Sequence, residues 1–271
     1  MKTSRSESKN QVFLVYSMGK VGSTTVYRLF RNQHPKIPIR LVHFLSDFWL
    51  NEKLPRLHPF FHKNIKVAKE VLSTLSQLPN HRIKIITLVR DPISREISNF
   101  FQNRKGLLGI NSPDELTADH VERYLDRHDY EYVLNWFDTE FKEYLGFDIY
   151  SVPFDQEKGY SIYKTERADI LCVKVENMNG CFETAIKKFA DLKMVISESA
   201  NKSEAKNGKE LYKTVVRQYK TSADKLVFIY NSKYVRHFYS EKEIDDFVRK
   251  WGRSEMKFQD IEKNKINHAM A

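Results

Sequence analysis

Val12-Phe-Leu-Val-Tyr16, followed at once by Ser17-Met-Gly-Lys-Val-Gly-Ser-Thr-Thr25, decides how this chain is read. The first five residues form an apolar run of strand length. The Gly/Ser/Thr turn after them opens a helical pattern carrying Val26, Leu29 and Phe30. A buried strand feeding such a turn aims backbone N–H groups and hydroxyls at one point, and the positive end of the helix macrodipole adds to them. The product is an anion site, usually for phosphate. It differs from the nucleotide loop that closes in Gly-Lys-Ser or Gly-Lys-Thr. Here Gly22 is followed by Ser23 and Thr24, and the lysine, Lys20, comes two positions before Gly22.

A second stretch points the same way. Ile83-Lys-Ile-Ile-Thr-Leu-Val89 is β-branched and apolar, the pattern of a buried parallel strand. It runs into Arg90-Asp91-Pro92, and Pro92 suits the first turn of a helix. That helix carries Ile93, Ile97 and Phe100 at core spacing, with Ser94, Arg95 and Ser98 between them. Arg90 at the strand's carboxyl end and Ser98 about two helical turns on can grip one phosphate from two directions. The bland reading is that Arg90 and Asp91 only cap the helix and pair at the surface.

The two stretches together resemble the sulfotransferase superfamily that uses 3′-phosphoadenosine 5′-phosphosulfate (PAPS). Lys20 ahead of Gly22-Ser-Thr-Thr25 looks like its 5′-phosphosulfate loop. Leu88-Val-Arg-Asp-Pro-Ile-Ser-Arg-Glu-Ile-Ser-Asn-Phe100 looks like its 3′-phosphate site, an Arg-x7-Ser pattern with an aromatic residue two places on. The resemblance runs in outline from Val12 to about Trp251, and only these two loops are specific. It implies a P-loop-like fold that binds the nucleotide through Gly19, Lys20, Val21, Gly22, Ser23, Thr24, Thr25, Arg90 and Ser98. In the superfamily a polar, basic loop late in the chain closes over the nucleotide. Asn201 and Lys206 are the residues here that the resemblance offers for it, although Lys202–Lys220 also reads as a solvated helix face.

Sulfuryl transfer resembles phosphoryl transfer in its dependence on positioning and charge stabilisation. Lys20 is the compact cation for the charge that develops on the bridging oxygen. No metal is expected. The resemblance also places a His or Glu on the second strand–loop unit, some twenty residues past the lysine. His43, directly after Leu41 and Val42, fills that place as general base. Asp47 and Glu176 remain alternatives. The expected product is adenosine 3′,5′-bisphosphate.

Composition sets the frame. The chain has 271 residues, 41% of them hydrophobic, enough for a sizeable core. Neither a repeat nor a low-complexity linker divides it, so a single α/β domain over residues 11–252 is expected, between polar tails at 1–10 and 253–271. No apolar run is long enough to span a bilayer, and Met1–Asn10 lacks the apolar core of a secretory signal. Two cysteines do not suggest an oxidised scaffold. The expectation is a cytoplasmic protein. The net charge of +10 calls for an anionic partner. A multiply charged nucleotide, with an acidic glycan, meets that need without nucleic-acid motifs.

Alternating strands and helices predict a mainly parallel sheet with helices on both faces, a three-layer sandwich. Beyond the two key stretches, strands are expected at Pro38–Val42, Phe147–Val152, Tyr160–Tyr163 and Asp169–Val175. Phe147–Val152 and Tyr160–Tyr163 are expected to form a hairpin around Asp155–Gly159. Helices are expected at Asn64–Leu78, Thr117–Arg127 (capped by Thr117 or Asp119), Tyr130–Tyr144, Cys181–Leu192, Leu226–Tyr239 and Ile244–Trp251. Trp49, Tyr124, Tyr130, Tyr132, Trp136, Phe137 and Tyr160 are either core or the lining of a sugar-stacking cleft, and core is favoured. The acceptor is a hydroxyl, which the resemblance leans toward a carbohydrate. The rivals are an ATP-dependent kinase or NTPase of the P-loop type, a non-catalytic nucleotide- or nucleic-acid-binding protein, and a sulfotransferase that has lost turnover.

Overall fold

In the computed structural model, residues 11–57, 59, 62–78, 83–110, 112, 115–196 and 206–253 are described. Five strands form one sheet: β1 (Val12–Tyr16), β2 (Ile39–Val42), β3 (Ile83–Val89), β4 (Tyr160–Lys164) and β5 (Asp169–Lys174). Their order is β2-β1-β3-β5-β4. β1 is parallel to β2 and β3, and β3 is parallel to β5. Only β4 runs antiparallel, along the edge of β5. All seven residues of β3 are buried, as a β-branched run covered on both faces requires. Lys84 is tolerated there because its ammonium pairs with Asp169 on β5. The α/β class with a mainly parallel sheet is therefore as expected.

Among the described residues, helices alternate with these strands: α1 (Ser23–Gln33), α2 (Lys63–Leu75), α3 (Pro92–Leu108), α4 (Ala118–Arg127), α5 (Glu131–Trp136), α6 (Met178–Ala190), α7 (Lys206–Gln218), α8 (Ala223–Tyr230), α9 (Lys233–Phe238) and α10 (Glu241–Trp251). None is long and apolar enough to cross a membrane.

The chain gathers into two compact units, neither continuous in sequence. One combines the residues up to Arg90 with Trp136–Ser203, and so holds the whole sheet with α1, α2 and α6. The other combines Asp91–Asn135 with the residues from Glu204 onward, and holds α3, α4 and α7 to α10. The polar tails expected at 1–10 and 253–271 lie outside the described residues except for Arg253.

Several boundaries moved for local reasons. Phe147–Val152 is not a strand: Ile149–Ser151 forms a 3₁₀ turn. The Asp148 carboxylate takes the backbone N–H of Tyr150 at 3.0 Å, and Ser151 N–H bonds the Asp148 carbonyl at 3.1 Å. A side chain that satisfies its own neighbours' backbone in this way competes with strand pairing. The turn at Asp155–Gly159 does form and leads into β4, but β4 makes its hairpin with β5, through Thr165–Ala168, and not with 147–152. The expected helix Leu226–Tyr239 breaks at Asn231, where Ser232 caps α9 by accepting from Val235 N–H. Tyr130–Tyr144 is α5 running into a π-helical stretch, Phe137–Leu145, that ends at Gly146 with φ 67°. Thr117 caps α4 as expected, in a capping box closed by His120.

Candidate functional site

The register brings strand ends together. Tyr16 pairs with Val42, Val15 with Ile86, and Val89 with Lys174. The loops after β1, β2 and β3 therefore leave the same edge of the sheet. Because β2 and β3 flank β1 on opposite sides, the chain's direction of progress reverses at β1. In open α/β sheets ligands bind outside the carboxyl ends of strands at such a point.

The loop after β1 has an unusual backbone. Gly22 sits at φ 79°, which glycine adopts freely, but Lys20 sits at φ 73°. A lysine in the left-handed region is strained by roughly 1–2 kcal/mol, and strain of this kind concentrates at functional sites. A contact across the edge accompanies it: Arg90 Nη1 donates to the Lys20 carbonyl at 3.0 Å. The strand-end arginine and the loop lysine, singled out separately in the sequence, thus belong to one edge.

α1 begins after Gly22 with no side-chain cap and no acidic residue in its first turn. Its opening N–H groups therefore lack the oxygen that helices normally provide there. Ser23 is buried, Thr25 half-buried and Thr24 exposed. Gly19 and Lys20 are half-buried and Val21 is fully buried, packing the loop down. At the loop's head the Ser17 hydroxyl is buried with no hydrogen-bond partner. An orphaned hydroxyl, an uncapped helix start and two basic residues on one rim are a set of donors, which suits an anion.

His43 also reaches this loop. Its Nδ1 lies 2.7 Å from the Ser17 carbonyl. A carbonyl only accepts, so Nδ1 carries the proton, and Nε2 is the acceptor nitrogen of the neutral ring. The neighbouring backbone is clamped from the other side, since Trp136 Nε1 donates to the His43 carbonyl at 3.2 Å.

Sequence reasoning missed Glu140. This fully buried carboxyl accepts from Leu45 N–H at 2.9 Å, Ser46 N–H at 3.2 Å, Ser46 Oγ at 3.0 Å and the Tyr16 hydroxyl. It thus ties the loop after β2 to the end of β1. Burial pushes its pKa up to about 7, against the four hydrogen bonds that favour the anion. One signal was available: Glu140 is an acid within the apolar stripe Trp136, Phe137, Phe141 and Tyr144.

The other expected site residues divide. Asp47 is exposed and accepts from Asn51 at 3.2 Å, and Glu176 is exposed. Ser98 stands half-buried on α3, in the second unit. Phe100 is fully buried against Phe101 and Tyr124, so it is core. Tyr130, Trp136, Phe137 and Tyr160 are buried too, which removes them from any sugar cleft. Asn201 lies outside the described residues, as does the side chain of Lys206, whose backbone opens α7. No group of three or more metal-ligating side chains occurs among the described residues.

The fold and this edge define a mainly parallel α/β protein with a basic, donor-rich rim. A family model described as "Putative capsular polysaccharide synthesis protein" (NKWYS) matches residues 116–240, less than half of the chain. That segment contains Trp136 and Glu140 but lies beyond Lys20, His43, Arg90 and Ser98. No curated protein and no solved structure matches the chain.

Proposed function

We propose that this chain is a PAPS-dependent sulfotransferase that sulfates a hydroxyl of a carbohydrate. The observation that carries the reading is the Arg90 bond to the Lys20 carbonyl, beside an uncapped helix start. When bound, PAPS supplies an activated sulfuryl group whose departure leaves negative charge on the 5′-phosphate. The backbone N–H groups and hydroxyls of Ser23, Thr24 and Thr25 hold that phosphate. The Lys20 ammonium stabilises the charge that develops, and Arg90 takes the 3′-phosphate. His43 Nε2 receives the proton from the acceptor hydroxyl, its tautomer set by Ser17. The carbohydrate half of the proposal draws on the polysaccharide family match.

Thermal-shift titration tests this. Adenosine 3′,5′-bisphosphate should stabilise the protein at micromolar concentration, and ATP with magnesium should act far more weakly. Arg90→Ala should cost the bisphosphate at least tenfold in affinity and leave adenosine 5′-phosphate nearly unaffected. Equal or stronger stabilisation by ATP and magnesium would turn the assignment toward a kinase.

A further inference from the structure

The second unit carries a groove of about 410 Å³, within the size range of ligand sites. One wall is α5, where Glu131, Leu134 and Asn135 share a face at i, i+3 and i+4. The other is the end of α8 and the break after it, which contribute Phe228 and Asn231, with Lys233 at the rim. Leu134 is buried as the floor, whereas Glu131, Asn135, Asn231 and Lys233 are exposed. Phe228 is 49% exposed. Among the described residues it is the only exposed large hydrophobic of the second unit and the only aromatic one in the protein.

The polar groups around the ring are ordered. Asn135 Nδ2 donates to the Glu131 carboxylate. Arg236 Nε donates to Asn231 Oδ1 at 3.3 Å, which turns the amide so that its NH₂ has no partner among the described residues. A flat apolar ring bordered by two amides and a carboxylate matches a pyranose, which has a C–H face and a rim of hydroxyls that both donate and accept. A protein-docking surface calls for a contiguous apolar patch of several hundred Å², and a single exposed ring does not make one. Glu131 offsets Lys233, so the groove also lacks the net positive charge that nucleic acid requires.

We propose that this groove binds a polysaccharide segment, with Phe228 stacking on one sugar ring and Glu131, Asn135 and Asn231 holding hydroxyls of that ring and its neighbour. The proposal deepens the carbohydrate half of the functional reading and is independent of the donor half. The test is an array of neutral and acidic bacterial polysaccharides probed with the full chain, followed by calorimetry on oligosaccharides cut from the best binder. Saturable binding is expected. Phe228→Ala should weaken it at least tenfold, Phe228→Trp should keep it within about threefold, and Asn135→Ala or Asn231→Ala should weaken it severalfold. Absence of binding across the array, or wild-type affinity in Phe228→Ala, overturns the proposal. Stabilisation by adenosine 3′,5′-bisphosphate, measured in the same Phe228→Ala protein, reports on the donor site separately, so either half can fail alone.

Discussion

At the scale of single residues, His43 illustrates how a short contact sets chemistry. Its Nδ1 is committed to the Ser17 carbonyl at 2.7 Å, so the ring presents Nε2 as its acceptor. A base held in one tautomer pays less to reach the reactive geometry than a freely rotating one. Replacing His43 with alanine should lower turnover by at least ~100-fold, the usual contribution of general-base catalysis. It should change the affinity for adenosine 3′,5′-bisphosphate less than twofold, because the proposed role of the imidazole is to take the acceptor's proton. Single-turnover rates with PAPS and calorimetry with the bisphosphate separate the two effects, and a wild-type rate would remove His43 from the chemistry. The placement of Lys20, Arg90 and His43 just after strand ends was legible from the apolar runs that precede them. Glu140 was harder to find, because its partners Leu45 and Ser46 lie some 95 positions away and no local pattern announces them.

At the scale of elements, one carboxylate organises much of the second unit. Asp91 is fully buried and caps α3 by accepting from Ser94 N–H at 2.9 Å. It also accepts from the Tyr230 hydroxyl of α8 at 2.7 Å and from Trp251 Nε1 of α10 at 3.0 Å. The capping half of the bland sequence reading thus holds for Asp91, whereas Arg90 turns to the Lys20 carbonyl. Asp91→Ala would remove a cap and take away an acceptor from a buried hydroxyl and a buried indole N–H. The expected loss is about 3 kcal/mol, combining a cap with the loss of these hydrogen bonds. Urea unfolding followed by tryptophan fluorescence measures it, and a change below ~1 kcal/mol would show that water replaces the carboxylate. Cap and helix were predictable from Asp91-Pro92, but the two distant donors were not, since side-chain reach across some 140 to 160 positions leaves no periodic trace.

At the scale of the whole molecule, two buried glutamates titrate in opposite directions. Burial lifts Glu140 from 4.5 to about 7. The folded protein therefore holds a proton there that the unfolded chain releases above about 4.5. Stability from this group is greatest below 4.5 and falls as pH rises through 7. Burial would also raise Glu96, yet the adjacent Arg95 guanidinium, helped by His128, holds it down at about 2. Its contribution is full above 4.5 and disappears as pH falls toward 2. Melting temperature against pH should thus drop on both sides of a weakly acidic optimum. Glu140→Gln should flatten the decline between pH 5 and 8, worth of order 3 kcal/mol in the wild type, and leave the acid limb intact. An unchanged alkaline slope in that variant would show that Glu140 is ionised in the fold.

Run lengths and periodicities were sufficient, alone, to determine the alternation of apolar strands and amphipathic helices, hence the α/β class, and to place a Gly/Ser/Thr turn between β1 and α1. Those features rest on local backbone geometry, which nearby residues dictate. The tertiary structure alone decided that β2 and β3 flank β1, that β4 makes its hairpin with β5 and not with the segment before it, and that Arg90 meets the Lys20 carbonyl. The reason is physical: strand order and the partners of buried polar groups depend on contacts between distant segments, which are formed by packing and satisfied in three dimensions.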